Sequence, residues 1–180
     1  MSTPELAAVP PQQLSMLARP QADHLPPVEL PAGYELRAYR PGDEAGWARV
    51  LRLAGFREWS AAQCREYLQE PTRRRGSHLA TYRNRPVAVT FATPHPQERG
   101  VGLLDYVATH PDHRDRHLGL AVCTAVMRFF LADGRPLVRL LTDDWRLPAI
   151  RLYLNLGFAP VMTRIDMPAR WEAIYAQLGR

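Results

Sequence analysis

The apolar positions of this chain change their spacing repeatedly, and each change marks an element. Tyr34 to Arg40 (Y-E-L-R-A-Y-R) alternates with a period of two, which predicts a first strand. Gly42 and Asp43 start a helix carrying Trp47, Val50, Leu51 and Leu53 on one side. Ser60 is placed to cap a second helix, with Cys64, Tyr67 and Leu68 inward and Pro71 as its stop. Ser77 to Tyr82 and Pro86 to Thr93 read as a hairpin around Arg83-Asn84-Arg85, and Val101 to Thr109 as the next strand. Leu118 to Ala132 has Leu118, Val122, Val126, Phe129 and Phe130 on one helical stripe, ended by Asp133-Gly134. Pro136 to Asp143 is a strand. Pro148 opens a further helix that Gly157 closes. Ala159 to Asp166 reads as a strand, and Ala169 to Leu178 as a last helix with Trp171, Ile174, Tyr175 and Leu178 inward. The order β-α-α-β-β-β-α-β-α-β-α is that of an α/β domain with a mixed sheet.

Residues 1–31 follow a different rule. They hold seven of the 17 prolines, so a helix or ladder strand there is expected to be interrupted repeatedly. The segment is expected to be an extended arm, disordered or laid along a domain that occupies 32–180. Arg73, Arg74 and Arg75 read as a solvated basic turn.

Composition adds limits. The chain has 180 residues, 46% hydrophobic, which suits one domain with a real core. The net charge is +5, and every one of the 23 basic residues is arginine. An anionic nucleotide ligand fits that balance; a nucleic-acid partner is disfavoured, because basic residues are not interleaved with aromatics. Cys64 and Cys123 lie far apart inside helical patterns, which makes neither a disulfide framework nor a metal site. No secretory signal and no membrane span is visible, so a cytoplasmic protein is expected.

The chemistry concentrates between Leu103 and Leu120 (L-L-D-Y-V-A-T-H-P-D-H-R-D-R-H-L-G-L). An apolar strand runs into a basic loop and then into the first turn of a helix. Unpaired N–H groups and the positive end of the helix dipole favour an anion there, and Arg114 and Arg116 add fork-shaped donors. Arg114 to Gly119 (R-D-R-H-L-G) resembles the pyrophosphate signature Q/R-x-x-G-x-G/A of the GNAT superfamily of acyl-CoA-dependent N-acyltransferases, with His117 where the first glycine usually stands. Asp144 to Phe158 resembles a second GNAT element, N-x-x-A-x-x-L-Y-x-x-x-G-F, with Ala149, Leu152, Tyr153, Gly157 and Phe158 in step and Arg146 in the Asn position. One helix and one strand separate the two blocks, as in that family.

The resemblance implies the GNAT fold: a mixed, mostly antiparallel sheet with a splayed parallel strand pair, flanked by helices. It implies an acetyl-CoA-dependent N-acetyltransferase acting on an amine of a small molecule or peptide, by direct transfer in a ternary complex. The alternative is a CoA-binding or sensing module without turnover. No metal is implied, and a homodimer is admitted. The cofactor contacts carried over are the main chain of Val107, Ala108 and Thr109, and the loop Arg114, Asp115, Arg116, His117, Leu118, Gly119 and Leu120. Tyr153 matches the tyrosine that often protonates the CoA thiolate; the other reading is a core tyrosine. Asp105 stands where some members carry a catalytic glutamate, and reads equally as a base or as a buried partner of an arginine. His110 is a second candidate base by its titration range alone. Asp143 and Asp144 are placed to receive a cationic amine or to cap the next helix. The acceptor side is expected around Gly55 to Ser60, with Trp59. His117 is expected to keep an ordinary helical-entrance backbone if it permits binding, since only a positive φ would demand glycine.

Overall fold

The computed structural model describes residues 12–180. A seven-stranded sheet runs in the order β2-β3-β4-β5-β6-β1-β7, with helices against both faces. In chain order the elements are β1 (Leu14–Ala18), β2 (Tyr34–Ala38), α1 (Glu44–Leu53), α2 (Ala61–Tyr67), α3 (Pro71–Gly76), β3 (His78–Tyr82) and β4 (Arg85–Pro94). Then follow β5 (Val101–Thr109), α4 (Leu118–Ala132), β6 (Leu137–Thr142), α5 (Leu147–Asn155), β7 (Ala159–Pro160) and α6 (Met167–Leu178).

Local chemistry explains most of the boundaries. Ser60 closes a capping box on α2: its hydroxyl accepts from the Gln63 N–H at 3.2 Å, and the Gln63 side-chain Oε1 accepts from the Ser60 N–H at 2.8 Å. The β3–β4 hairpin turns on Arg83 and Asn84, both with positive φ (49° and 65°), the paired left-handed turn that a tight hairpin favours.

One apolar cluster lies under α1 and α2. There Trp47 stacks on Phe91 at 5.0 Å between ring centroids, with Leu51, Cys64, Leu79 and Val89 around them. The larger cluster joins α4, α5 and α6 to the other face through Val122, Val126, Phe130, Leu140, Ile150 and Trp171. Both cysteines are free and buried, as expected; burial pushes the Cys64 thiol up to about 12. Among the described residues no helix is long and apolar enough to cross a membrane.

The structure corrects four expectations. Residues 14–18 form a strand, β1, paired antiparallel with β6 from Leu14↔Thr142 to Ala18↔Val138 and with β7 on its other side. Leu14, Met16 and Ala18 alternate into the core, and the ladder fits between Pro11 and Pro20 without meeting a proline. Residues 1–11 of the expected arm lie outside the described residues. Arg73 to Arg75 belong to a short helix, α3, because Glu70 accepts from the N–H groups of Thr72 and Arg73 and Pro71 sits in the first turn. The strand after α5 is only two residues long, with Pro160 on the sheet edge. Leu53, expected inward, is exposed at the end of α1.

β5 and β6 are the only parallel neighbours among the described strands. They pair at Val101↔Leu137, Gly102↔Val138 and Leu103↔Arg139, and no farther, although β5 runs on to Thr109 and β6 to Thr142. The splayed pair that the sequence implied is present.

Removing residues 1–18 should strip Leu14 and Met16 from the core and expose the β6 edge. A large fall in the thermal unfolding midpoint is expected. Met16→Ala alone should cost about 2–4 kcal/mol, as for other buried large-to-small changes. An unchanged denaturant midpoint in both proteins would contradict the docking of β1.

Candidate active site

The splay opens because β5 carries an extra residue. Val89 faces Ala108 and Phe91 faces Asp105, so two steps on β4 match three on β5. The bulge centres on Tyr106, whose φ is +49°. Past it the β6-facing edge of β5, including Val107, Ala108 and Thr109, has no ladder partner among the described strands. Such an edge can take up an extended chain by main-chain hydrogen bonds.

A cleft of about 510 Å³ occupies the gap. Its walls include Asp105, Tyr106 and Val107 from β5, Arg139 and Thr142 from β6, and Tyr153 from α5. Tyr153 is 6% exposed, and among the described residues its hydroxyl has no hydrogen-bond partner. Burial is the main cause that raises its pKa well above that of an ordinary phenol, so it is a protonated donor facing the gap. Thr142 is also buried with an unpartnered hydroxyl.

Asp105 is held from the α2 side. The Tyr67 hydroxyl donates to Oδ2 at 2.6 Å, and the Thr93 hydroxyl donates to the same oxygen at 3.3 Å. Arg73 braces both, with Nε 3.3 Å from the Thr93 hydroxyl and its guanidinium 3.7 Å from the centre of the Tyr67 ring. Burial raises the Asp105 pKa above the usual carboxylate value; the two hydroxyls and Arg73 pull it back without cancelling the rise. Asp105 is therefore neither a plain ion-pair partner nor an ordinary exposed acid. Tyr67, Thr93 and Arg73 were not singled out from sequence as site residues. Tyr67 follows the inward stripe of α2, and nothing local shows that its hydroxyl reaches another strand.

At the far end of β5 the chain makes a 3-10 turn at Pro111–His113 and reaches α4 through Arg114–His117. The first intrahelical bond runs from the Ala121 N–H to the His117 carbonyl, and no side chain caps the helix. The N–H groups of Leu118, Gly119 and Leu120 are thus left free at the positive end of a 15-residue helix. Arg114 is exposed beside them. Arg116 folds back, donating to the carbonyls of Asp112 at 3.0 Å and Arg114 at 3.1 Å, so it braces the loop as well as charging it. Gly119 keeps a helical backbone and packs closely: a Cβ there would lie 3.2 Å from the tip of the Leu152 side chain, which would have to shift by a few tenths of an ångström.

His117 departs from expectation. Its φ is +56° and ψ +17°, the left-handed conformation that the family glycine would adopt without strain. Asp115 is left-handed as well, at φ +58°. The loop therefore holds two non-glycine residues in the left-handed region and accepts the steric cost of their side chains.

Other candidates go elsewhere. Neither Asp143 nor Asp144 caps α5. Asp143 pairs with Arg146 at 3.1 Å, and Asp144 is bound by Arg170 through both oxygens. His110 accepts from the Asp112 N–H at 3.2 Å and is not part of the cleft wall. Arg146, in the family Asn position, lies 4.8 Å from the Phe56 ring and 4.5 Å from the Trp145 ring at the cleft mouth.

The model of the acetyltransferase (GNAT) family matches residues 45–158. The chain belongs to the GNAT acetyltransferase family. It is 30% identical over 154 residues to a mycothiol acetyltransferase of Thermobispora bispora, covering 79% of this chain and 52% of the relative. It is 31% identical over 153 residues to the protein of that name in Thermomonospora curvata, covering 81% and 51%. This GNAT chain spans about half the length of the curated relatives it matches. Its fold is similar to a GCN5-related N-acetyltransferase from Sphaerobacter thermophilus, with a TM-score of 0.65 at 23% identity, over 84% of this chain and 49% of that one.

Replacing His117 by glycine should relieve the left-handed strain and stabilise the protein by about 0.5–1 kcal/mol. Denaturant titration of both proteins measures this. A destabilised His117→Gly would show that the imidazole makes contacts worth more than the strain.

Proposed function

We propose that this chain transfers an acetyl group from acetyl-CoA to an amine, with both substrates bound together. The observation that carries the reading is the joining, by one strand, of an uncapped helix N-terminus, an open backbone edge and a cleft that holds both Asp105 and Tyr153. The residues fit a CoA thioester: free N–H groups at Leu118–Leu120 with Arg114 and Arg116 suit its pyrophosphate, and the edge at Val107–Thr109 suits its amide-bearing arm. When bound, acetyl-CoA supplies the activated acetyl group.

The chain's own groups handle the protons. Asp105 takes a proton from the ammonium of the acceptor, freeing the nitrogen lone pair for attack on the acetyl carbon. Its raised pKa brings it closer to that of an amine than a free carboxylate would be. As the new C–N bond forms and the C–S bond breaks, Tyr153 gives its proton to the departing sulfur, and the proton that the acylated nitrogen then sheds restores the Tyr153 phenol. Tyr67 and Thr93 occupy Oδ2, which leaves Oδ1 of Asp105 for this exchange.

Release of free thiol from acetyl-CoA with a panel of amines tests the proposal. Binding of acetyl-CoA without thiol release would favour a sensing module. Tyr153→Phe should keep affinity for acetyl-CoA and lower kcat, because only the transferable proton is lost. Arg114→Ala should raise KM for acetyl-CoA with little change in kcat.

The pH profile tests the base. Asp105 acts only when ionised, so kcat/KM should rise with pH through its pKa, above the usual carboxylate range near ~4. Tyr67→Phe removes a bond that favours the ionised form, so the acid limb should move to higher pH. Asp105→Asn should abolish that limb and lower kcat about 100-fold or more. A limb that stays in place in both variants would exclude Asp105 as the base.

A further inference from the structure

A second cavity, of about 440 Å³, lies beside the cleft on the α2 side and opens to solvent. Tyr106 is a wall of both. Tyr67 is another wall of this dish, and its hydroxyl is the one bound to Asp105. The dish and the carboxylate are therefore separated by a single phenol ring.

The lining is chemically selective. Trp59, Tyr67 and Tyr106 form an aromatic corner, each ring edge-on to the others at 75–85° and 5.0–6.4 Å between centroids. The guanidinium of Arg73 already rests on the Tyr67 ring, so the chain itself places a cation against this surface. Arg73 is committed there, with Nε on Thr93 and Nη1 3.3 Å from the Tyr67 carbonyl. Glu58 and Glu66 stand exposed at the dish, and among the described residues neither carboxylate makes an ion pair or hydrogen bond. Two carboxylates against one guanidinium leave the dish negative on a chain whose net charge is +5. Trp59, 8% exposed, presents an indole N–H that also lacks a partner among the described residues.

We infer that this dish holds a second, non-reacting ammonium group of the acceptor, so that the preferred substrate carries two amino groups. One nitrogen enters the cleft beside Asp105 and loses its proton there. The other stays protonated over the rings of Trp59 and Tyr106, facing Glu58 and Glu66. An aliphatic ammonium is charged at neutral pH, and both carboxylates attract it. The inference rests on the acetyl-transfer reading for its reacting nitrogen, but the dish can be examined without turnover.

Three compounds of equal length separate the choices: 1,4-diaminobutane, butylamine and 4-aminobutanoate. They place a cation, a methyl group or an anion at the far end. Binding is measured by calorimetry on the full chain in the presence of CoA, which permits no transfer. The diamine should bind at least tenfold tighter than butylamine, and 4-aminobutanoate no tighter than butylamine. In the doubly substituted Glu58→Gln, Glu66→Gln protein, the diamine's advantage should fall below threefold. Both positions are exposed, so a folded variant is expected, and its circular dichroism melt verifies this.

Equal binding of all three, binding of none, a preference for 4-aminobutanoate, or a diamine preference that survives the double substitution each overturns the inference. The last two would assign the dish to Arg73 or the selectivity to another surface. The thiol-release assay with the same compounds keeps the two readings apart. Equal kcat/KM for the three amines would leave acetyl transfer standing and sink the diamine preference. A diamine preference in binding with no thiol released from any compound would do the reverse.

Discussion

The bulge at Tyr106 is the constraint on which the site depends. A parallel pair such as β5 and β6 would ordinarily continue its ladder, since each unmade backbone bond at a buried edge is costly. Here the ladder stops after Leu103↔Arg139, and the extra residue in β5 turns the strand away. The closed end is pinned from the α4 side, where Phe130 packs so closely on Gly102 that a Cβ there would lie 2.7 Å from its ring. The open end exposes backbone. The same twist aims Asp105 and Tyr106 toward α2 and leaves Val107 on the α4 side, so one local irregularity makes both the slot and its chemistry.

Charge follows the same geometry. Most carboxylates near the sheet ends are tied to arginines: Asp43 by Arg37, Asp133 by Arg135, Asp143 by Arg146, and Asp144 by Arg170. These pairs fix loops. Burial alone would raise the pKa of Asp43, but the fork from Arg37 at 2.7 Å and the Arg40 N–H at 2.8 Å together outweigh it, holding the carboxyl below its usual range. Asp105 is the contrast. It has neutral hydroxyls for neighbours and a guanidinium one group away, so burial wins and its pKa goes up. A carboxylate relieved of a direct ion pair is the kind that can exchange a proton with a bound amine.

Much of this was legible in the chain because local rules and tertiary demands agreed. α4 keeps the bounds that its stripe and its Asp133-Gly134 end indicated, and β5 keeps those of its apolar run. The splay was legible only through the two motifs, since no spacing rule announces a bulge at a tyrosine. β1 was hidden by its neighbours: prolines on both sides of L-S-M-L-A mask a five-residue alternation that the β6 edge stabilises. α3 was masked by its three arginines, which say nothing about the cap that Glu70 supplies. Tyr67 and Thr93 could not be found locally at all, because their bonds to Asp105 span 38 and 12 residues. The backbone at His117 was misread for a simple reason: histidine is uncommon at positive φ, and only the requirements of the loop put it there.

β1 also alters what the site consists of. It lies between β6 and β7, and its ladder with β6 ends at Leu14↔Thr142. Thr142 and Asp143 are cleft walls, and Gln13, one residue before β1, is another. The Gln13 side-chain amide donates to Asp143 at 3.2 Å, while Asp143 also receives Arg146. The β6 wall of the slot is thus positioned by a segment more than a hundred residues earlier in the chain. A splayed strand has lost half its ladder and needs support on its other edge. Here that edge belongs to β1, so the N-terminal segment holds the cleft open as surely as the bulge in β5 does.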